Sequence, residues 1–506
     1  YKNVESISNP FEYPMNAIVS LGYCSAAFIS PEGLIATNYH CVERDFIQPN
    51  SSLENDLFEK GFLARSKAEE LQAAPGQKIY VTLESKDITN EILQGTSDET
   101  ESLERFKIIE NNSKAIIREC ETSDEIECRV RSFYSGETYK LEKVLQLRDV
   151  RLVYAPPAHV GEYGGEIDNW MYPRHTGDFA LVRAYVGKDG TSKVYADDNI
   201  PFTSDSYLKI SAKGVEEDDF VMILGYPGRT NRLLTFNQRE YDLSEGFQNY
   251  VDFLESRINL IETHTNDEDG SSLVYRGTKS GAENYYKKIS GQIQGAKNFN
   301  VLENERNNWR GFMQYVEMNA TDQEKAYLDE LLAIIDKDIT TTESNRYFGG
   351  STLIQFANYL LRNAEQRNKP DLERKSGYQD RDQEAIQNQI KYLNNAFNIR
   401  VDKELFLANI KKYRTFDAGL RRPIYSQALN LDSDENTMLL KIDEIYSTNY
   451  STPEKMLELY EMSFEEMMNL EDPLIDFLKV VYEENLSYEE KACLLYTSPS
   501  PRDCRL

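Results

Sequence analysis

The stretch Gly22-Tyr-Cys-Ser-Ala-Ala-Phe-Ile-Ser-Pro-Glu-Gly-Leu-Ile-Ala-Thr-Asn-Tyr-His-Cys41 restricts the fold more than any other part of the chain. Two apolar runs, Ala27-Phe-Ile29 and Leu34-Ile-Ala36, flank Ser30-Pro-Glu-Gly33, where proline sets φ at the corner and glycine is free to take a positive φ. The pattern predicts a β-hairpin, and a hairpin brings its two ends together. Cys24 and Cys41 stand almost symmetrically about the turn, so they face each other within a residue of register. In an oxidising compartment they can form a disulfide, which would clamp His40 at a strand end.

At 506 residues the chain has length for two or more domains and a sizeable core. Its 40% hydrophobic and 28% charged residues describe a soluble protein, and no apolar run is long enough to span a membrane. A formal charge of −28 without any basic run excludes nucleic acid as a partner and weakly favours ligands that carry an amine. Of six cysteines, Cys24, Cys41, Cys120 and Cys128 fall into two close pairs, the pattern of two local bridges in an exported protein. There is no Cys-x-x-Cys or His-Glu-x-x-His pattern, so no metal site and no cofactor is expected. The chain opens at Tyr1 with no methionine or signal peptide, which reads as a processed form or a fragment.

Residues 1–230 read as a β-rich domain, with strands such as Lys78–Glu84, Val150–Ala155 and Phe179–Val186. Charged, helix-prone sequence interrupts it over 87–147, taken as a helical excursion that carries Cys120 and Cys128. Asp218-Asp-Phe-Val-Met-Ile-Leu-Gly-Tyr-Pro-Gly228 reads as a further buried strand ending in a Pro-Gly turn. Over 231–492 proline and glycine thin out and helical spacing takes over. Thr321 with Glu324 makes a capping box, followed by Leu328, Leu331, Leu332, Ile335 and Ile339 on one helix face. Thr452-Pro453 and Ser463 with Glu466 mark further helix starts. From Cys493 the helical pattern gives way to Ser, Pro and Arg, so 493–506, with Cys493 and Cys504, is set aside as a non-native tail.

A histidine held beside a disulfide just after a buried strand is how trypsin-like serine peptidases place their general base. A plain hairpin with a surface histidine has the same residues, so a second element is needed. Asp178 supplies a candidate: it sits between Gly177 and a β-run, where a short carboxylate can reach an imidazole on another strand. His159, His175 and His264 are rival bases, but none precedes a cysteine after such a strand.

Four stretches in order, Pro14–Cys41, Lys60-Gly-Phe-Leu-Ala-Arg65, Asp168-Asn-Trp-Met-Tyr-Pro-Arg-His-Thr-Gly-Asp-Phe179 and Gly225-Tyr-Pro-Gly-Arg-Thr230, resemble the bacterial dipeptidyl-peptidase 7 and 11 family. The similarity runs from about Pro14 to Asn300 and is weaker beyond. The resemblance implies an α+β fold, a chymotrypsin-like double β-barrel with a large α-helical domain inserted into it, the second barrel being incomplete here. It implies an exported, periplasmic or extracellular serine exopeptidase, typically a homodimer, that releases dipeptides from oligopeptides with a free N-terminal amine. His40 matches the general base and Asp178 its orienting acid, while Asn169, Trp170 and Asn284 match residues that hold the substrate's amine. Amide oxygens and an aromatic face do bind an ammonium.

The chain departs from that family at Tyr39, where a second histidine is usual, and at Tyr23, where glycine is usual. The Gly-Asn-Ser-Gly-Ser-like motif of the nucleophile does not occur in it, so the expectation is a C-terminally truncated chain, inactive by itself. Two other readings of the same residues are a trypsin-like endopeptidase and a catalytically dead, peptide-binding homologue. The side chain preferred before the scissile bond is not legible.

Overall fold

The structure, a computed structural model, describes residues 11–97, 99–226, 234–395 and 397–495. Among the described residues the β part is one antiparallel sheet of eleven strands. These are β1 (Ile18–Ser20), β2 (Ser25–Phe28), β3 (Leu34–Thr37), β4 (Phe62–Leu63), β5 (Leu71–Gln72) and β6 (Ile79–Asp87). They continue with β7 (Ile126–Phe133), β8 (Thr138–Leu147), β9 (Asp149–Ala155), β10 (Ala180–Val186) and β11 (Ile200–Pro201). The spatial order is β4-β9-β10-β3-β2-β1-β6-β8-β7, with β11 on β10 and β5 on β9.

The hairpin forms where the turn chemistry puts it. Ala27 pairs with Ala36 and Phe28 with Ile35, while Gly33 takes φ +67°. A side chain at Gly33 would also meet the carbonyls of Ala184 and Phe202, so glycine is needed there twice over. Alternate residues of neighbouring strands, among them Phe28, Ile35, Leu152 and Val182, then share a fully buried face. The expected bridges are present: Cys24–Cys41 closes the hairpin, and Cys120–Cys128 joins the end of helix α1 (Ser102–Cys120) to β7.

Two expectations change. The excursion over 87–147 is helical only in its first half; β7 and β8 then pair with each other and β8 runs along β6, extending the sheet. Ile126-Glu-Cys-Arg-Val-Arg alternates with period two, so its charges line one face of a ribbon, and Arg131 meets Glu142 across the strands at 3.1 Å. The apolar run within 218–226 is not a buried strand. It is irregular and mostly exposed, Ile223 at 99%, and no strand pairs with it among the described residues. Its end does return to the sheet, where the Tyr226 N–H donates to Ser25 Oγ and its hydroxyl meets Thr82. The Pro-Gly turn expected at 227–228 lies outside the described residues.

The rest is helical. Helix α2 (Gly165–Asp168) precedes β10, and the helical part includes α3 (Phe247–His264), α4 (Ser271–Asn298) and α5 (Asp322–Tyr347). The boxes at Thr321/Glu324 and Ser463/Glu466 cap their helices, and Thr452 caps a helix that begins with Pro453. On α5, Leu328, Leu332, Ile335 and Ile339 are half-buried, but Leu331 points outward at 50% exposure. The core of this part lies further on, among Leu353, Leu361, Phe406, Ile442, Leu459 and Phe477. Its last helix runs unbroken over Pro473–Leu495, so helical structure continues past Cys493; 496–506 lie outside the described residues. Buried Gln48, just after the His40 turn, donates to the carbonyls of Leu273, Val274 and Asn395, tying the sheet to the helical part.

Candidate active site

Strand register explains why residues 138 apart in sequence meet. Thr37 at the end of β3 pairs with Ala180 at the start of β10. Continuing that antiparallel register past the strand ends sets Asp178 across from Tyr39, beside His40. His40 Nδ1 lies 2.9 Å and 3.1 Å from the two carboxylate oxygens. An ionised carboxylate only accepts, so Nδ1 carries the proton and leaves the Nε2 lone pair outward. The His40 side chain is 57% exposed and that of Asp178 only 14%, so the imidazole presents its free edge while its anchor is enclosed.

Asp178 is fixed from several sides. The His40 backbone N–H donates to Oδ1 at 3.2 Å, Asn38 Nδ2 donates to Oδ2 at 3.2 Å and to the Asp178 carbonyl at 3.1 Å, and Arg174 lies 3.6 Å away. Burial opposes charge on this carboxyl, but the side-chain and backbone hydrogen bonds from His40, with the nearby Arg174 guanidinium, hold it below the usual carboxylate range. Below the imidazole, Tyr39 is fully buried with its ring against Gly161, where a Cβ would lie 2.4 Å from Cγ. That close approach seats the loop leading to Asp178 on the turn that carries His40. Tyr23, the other departure, donates its hydroxyl to the Cys41 carbonyl at 2.9 Å.

The three residues expected to hold an amine also come together. Asn284 on α4 offers Oδ1 to Trp170 Nε1 at 2.8 Å and to Asn169 Nδ2 at 3.0 Å. Asn169 Oδ1 accepts the Trp170 backbone N–H at 3.0 Å. Trp170 takes φ +45°, a conformation rare for a bulky residue, and its ring stays 59% exposed. Lys287 donates to the Ile167 carbonyl at 3.0 Å, latching α4 to α2. The cluster therefore presents amide oxygens, which can accept an ammonium, and an exposed indole over which Lys288 Nζ lies 5.7 Å from the ring centroid.

Residue types alone did not point to Asn38, Arg174 or the group formed by Glu43, Glu162 and Arg276. Burial, with Glu162 beside it, pushes the Glu43 carboxyl well above the usual range, and Arg276 on α4 reaches Glu162 at 3.6 Å. The signal for Asn38 was its place two residues before His40; nothing local marks a carboxyl pair 119 positions apart. His159, His175 and His264 have no carboxylate partner among the described residues. Cys24, Cys41 and His40 lie close enough to share a metal, but both sulfurs are joined in the disulfide, leaving one nitrogen.

Comparison with known proteins puts the chain among the peptidases. A model of the peptidase S46 family matches residues 2–497, and the chain belongs to that family. It is 36% identical over 495 residues to the Asp/Glu-specific dipeptidyl-peptidase of Shewanella putrefaciens, covering 97% of this chain and 67% of the relative. To dipeptidyl-peptidase 7 of Phocaeicola vulgatus it is 32% identical over 342 residues, covering 66% of this chain and 47% of the relative. The chain thus spans about half to two thirds of the length of these relatives. In structure it is similar to Porphyromonas endodontalis DPP11 in complex with the dipeptide Arg-Glu, with TM-score 0.73 and 23% identity, covering 97% of this chain and 71% of that one. The fold, mixed α and β with a large antiparallel sheet, is shared with that structure. The likeness extends well past Asn300, further than the quoted motifs alone indicate.

Proposed function

We propose that this chain carries the base, the orienting acid and the amine subsite of a serine dipeptidyl-peptidase whose nucleophilic serine lies in polypeptide beyond it. The observation that carries the reading is the 2.9 Å contact between His40 Nδ1 and Asp178, with Nε2 open. His40 Nε2 takes the proton of the serine hydroxyl as its oxygen attacks the carbonyl after the second residue of a bound peptide. A C–O bond forms, the C–N bond breaks, and the leaving amine takes the proton back from His40. Water then attacks the acyl-enzyme with the same base, releasing the dipeptide and freeing the serine. Asp178 holds the imidazole in one tautomer and balances its positive charge throughout.

Asn169, Trp170 and Asn284 hold the N-terminal amine, and that closed end counts two residues to the scissile bond. In this reading 218–226 belongs to the second half of a double barrel whose partner strands are in the same missing portion, consistent with its apolar, unpaired character. The length of the S. putrefaciens relative leaves room for such a portion. The two disulfides favour an exported protein, periplasmic or extracellular, and a homodimer is the assembly we expect. Asp/Glu-specific and type 7 relatives are both similar to this chain, so the residue before the bond is not assigned.

The test uses the complete reading frame. A Gly-x-Ser-Gly segment downstream and release of dipeptides from free peptides, but not from N-acetylated ones, are expected. Asp178→Asn should cut kcat by about a thousandfold or more, because the imidazole loses its tautomer control. Equal cleavage of blocked peptides would make the protein an endopeptidase, and lack of a downstream serine would leave a peptide binder.

A further inference from the structure

Helix α4 brings four polar or aromatic side chains to the Trp170 platform within little more than one turn: Asn284, Tyr285, Lys287 and Lys288. Asn284 and Lys288, four apart, rise from the same helix face. Lys287 is spent on the Ile167 carbonyl. Lys288 is not: its Nζ lies 5.7 Å from the centroid of the Trp170 ring and 5.3 Å from that of Tyr285. It is ion-paired to no carboxylate among the described residues. In a chain of net charge −28 this ammonium stands over an exposed indole with no carboxylate of its own among the described residues.

We propose that Lys288 selects the first residue of the bound peptide, favouring a carboxylate side chain and disfavouring a basic one. The inference rests on the reading of Asn169, Trp170 and Asn284 as the amine subsite. With the peptide's ammonium on those amides, its first side chain leaves the same Cα and passes the Trp170 and Tyr285 rings, where Lys288 stands. A second cation there meets the ammonium of Lys288 and finds the aromatic faces already taken. A carboxylate pairs with Lys288 and leaves the rings to it. At about 5 Å in a solvent-like dielectric, one such charge contact changes affinity about fourfold, and the two signs act in opposite directions, so acidic and basic first residues differ by roughly ten- to twentyfold.

The test is calorimetric titration of Glu-Ala-Ala, Lys-Ala-Ala and their N-acetylated forms at low and high salt, against the parent protein, Lys288→Gln and Lys288→Glu. The parent should bind Glu-Ala-Ala roughly ten- to twentyfold tighter than Lys-Ala-Ala, a gap that narrows in high salt. Lys288→Gln should close the gap, and Lys288→Glu should reverse the order. If free peptides bind, acetylated ones do not, and the ratio is the same in all three proteins, Lys288 is not the selector although the amine subsite stands. If acetylated peptides bind as well as free ones, or no peptide binds, the amine subsite itself fails and this proposal with it.

Discussion

Asn284→Ala isolates what helix α4 contributes to the proposed amine cluster. Asn284 Oδ1 accepts two hydrogen bonds, from Trp170 Nε1 at 2.8 Å and from Asn169 Nδ2 at 3.0 Å. Trp170 Nε1 also lies 3.3 Å from the Asn284 backbone carbonyl, and alanine keeps that contact. Each neutral bond is worth about 0.5–1.5 kcal/mol net, and a partly exposed site belongs at the lower end, so the two together come to about 1–2 kcal/mol. Without them the indole and the Asn169 amide no longer hold one orientation before the ligand arrives. The cost therefore appears as a Kd for a free tripeptide weakened about five- to thirtyfold. If the cluster holds the peptide's amine as proposed, the same factor should raise KM in the full-length reading frame and leave kcat within about twofold, because such a grip acts equally in ground and transition states. Titration calorimetry gives Kd, and the NMR shift and exchange rate of the Trp170 Nε1–H report whether the indole has lost its acceptor. Affinity within a factor of two of the parent, with that shift clearly moved, would refute the reasoning. A cycle with Asn169→Ala should show coupling, since both act through one oxygen.

Two further outcomes follow from other buried carboxylates. The Glu43 carboxyl is raised by burial and by Glu162, so the folded protein keeps a proton that the unfolded chain releases above about pH 4.3. The sign is then a loss of stability as pH rises through neutral, by up to about 1.4 kcal/mol per pH unit, and Glu43→Gln should flatten the dependence of Tm on pH between 5 and 8. An unchanged slope would contradict the assignment. Asp402, fully buried, accepts from Ser351 Oγ and the Thr352 N–H at 2.7 Å each and from the Tyr446 hydroxyl at 2.8 Å. Asp402→Ala strands these donors at the start of the Thr352–Arg367 helix and should cost about 3 kcal/mol or more, read as faster amide exchange in that helix.

Short-range features follow from neighbouring residues alone. The hairpin, its bridge and the capping boxes at Thr321, Thr452 and Ser463 depend on residues a few positions apart, and each stands where the sequence puts it. The β7–β8 arm reads as helix from its charged composition, yet its period-two alternation decides the structure. The 218–226 run reads as a strand from its apolar residues, but such a run becomes a strand only where a sheet edge receives it.

What the sequence determined by itself is local chemistry: which turn closes, which cysteines face each other, which histidine is held, and which residue types an amine subsite would need. Only the tertiary structure decided that Asp178 reaches His40, that Asn284 from a helix accepts from Trp170 in a loop, that Glu43 is buried beside Glu162 and that Lys288 lies over the Trp170 ring. The reason is physical. A side chain's hydrogen-bonding capacity is written in its own atoms, but its partner, its burial and its field are set by strand register and helix packing between segments far apart in the chain.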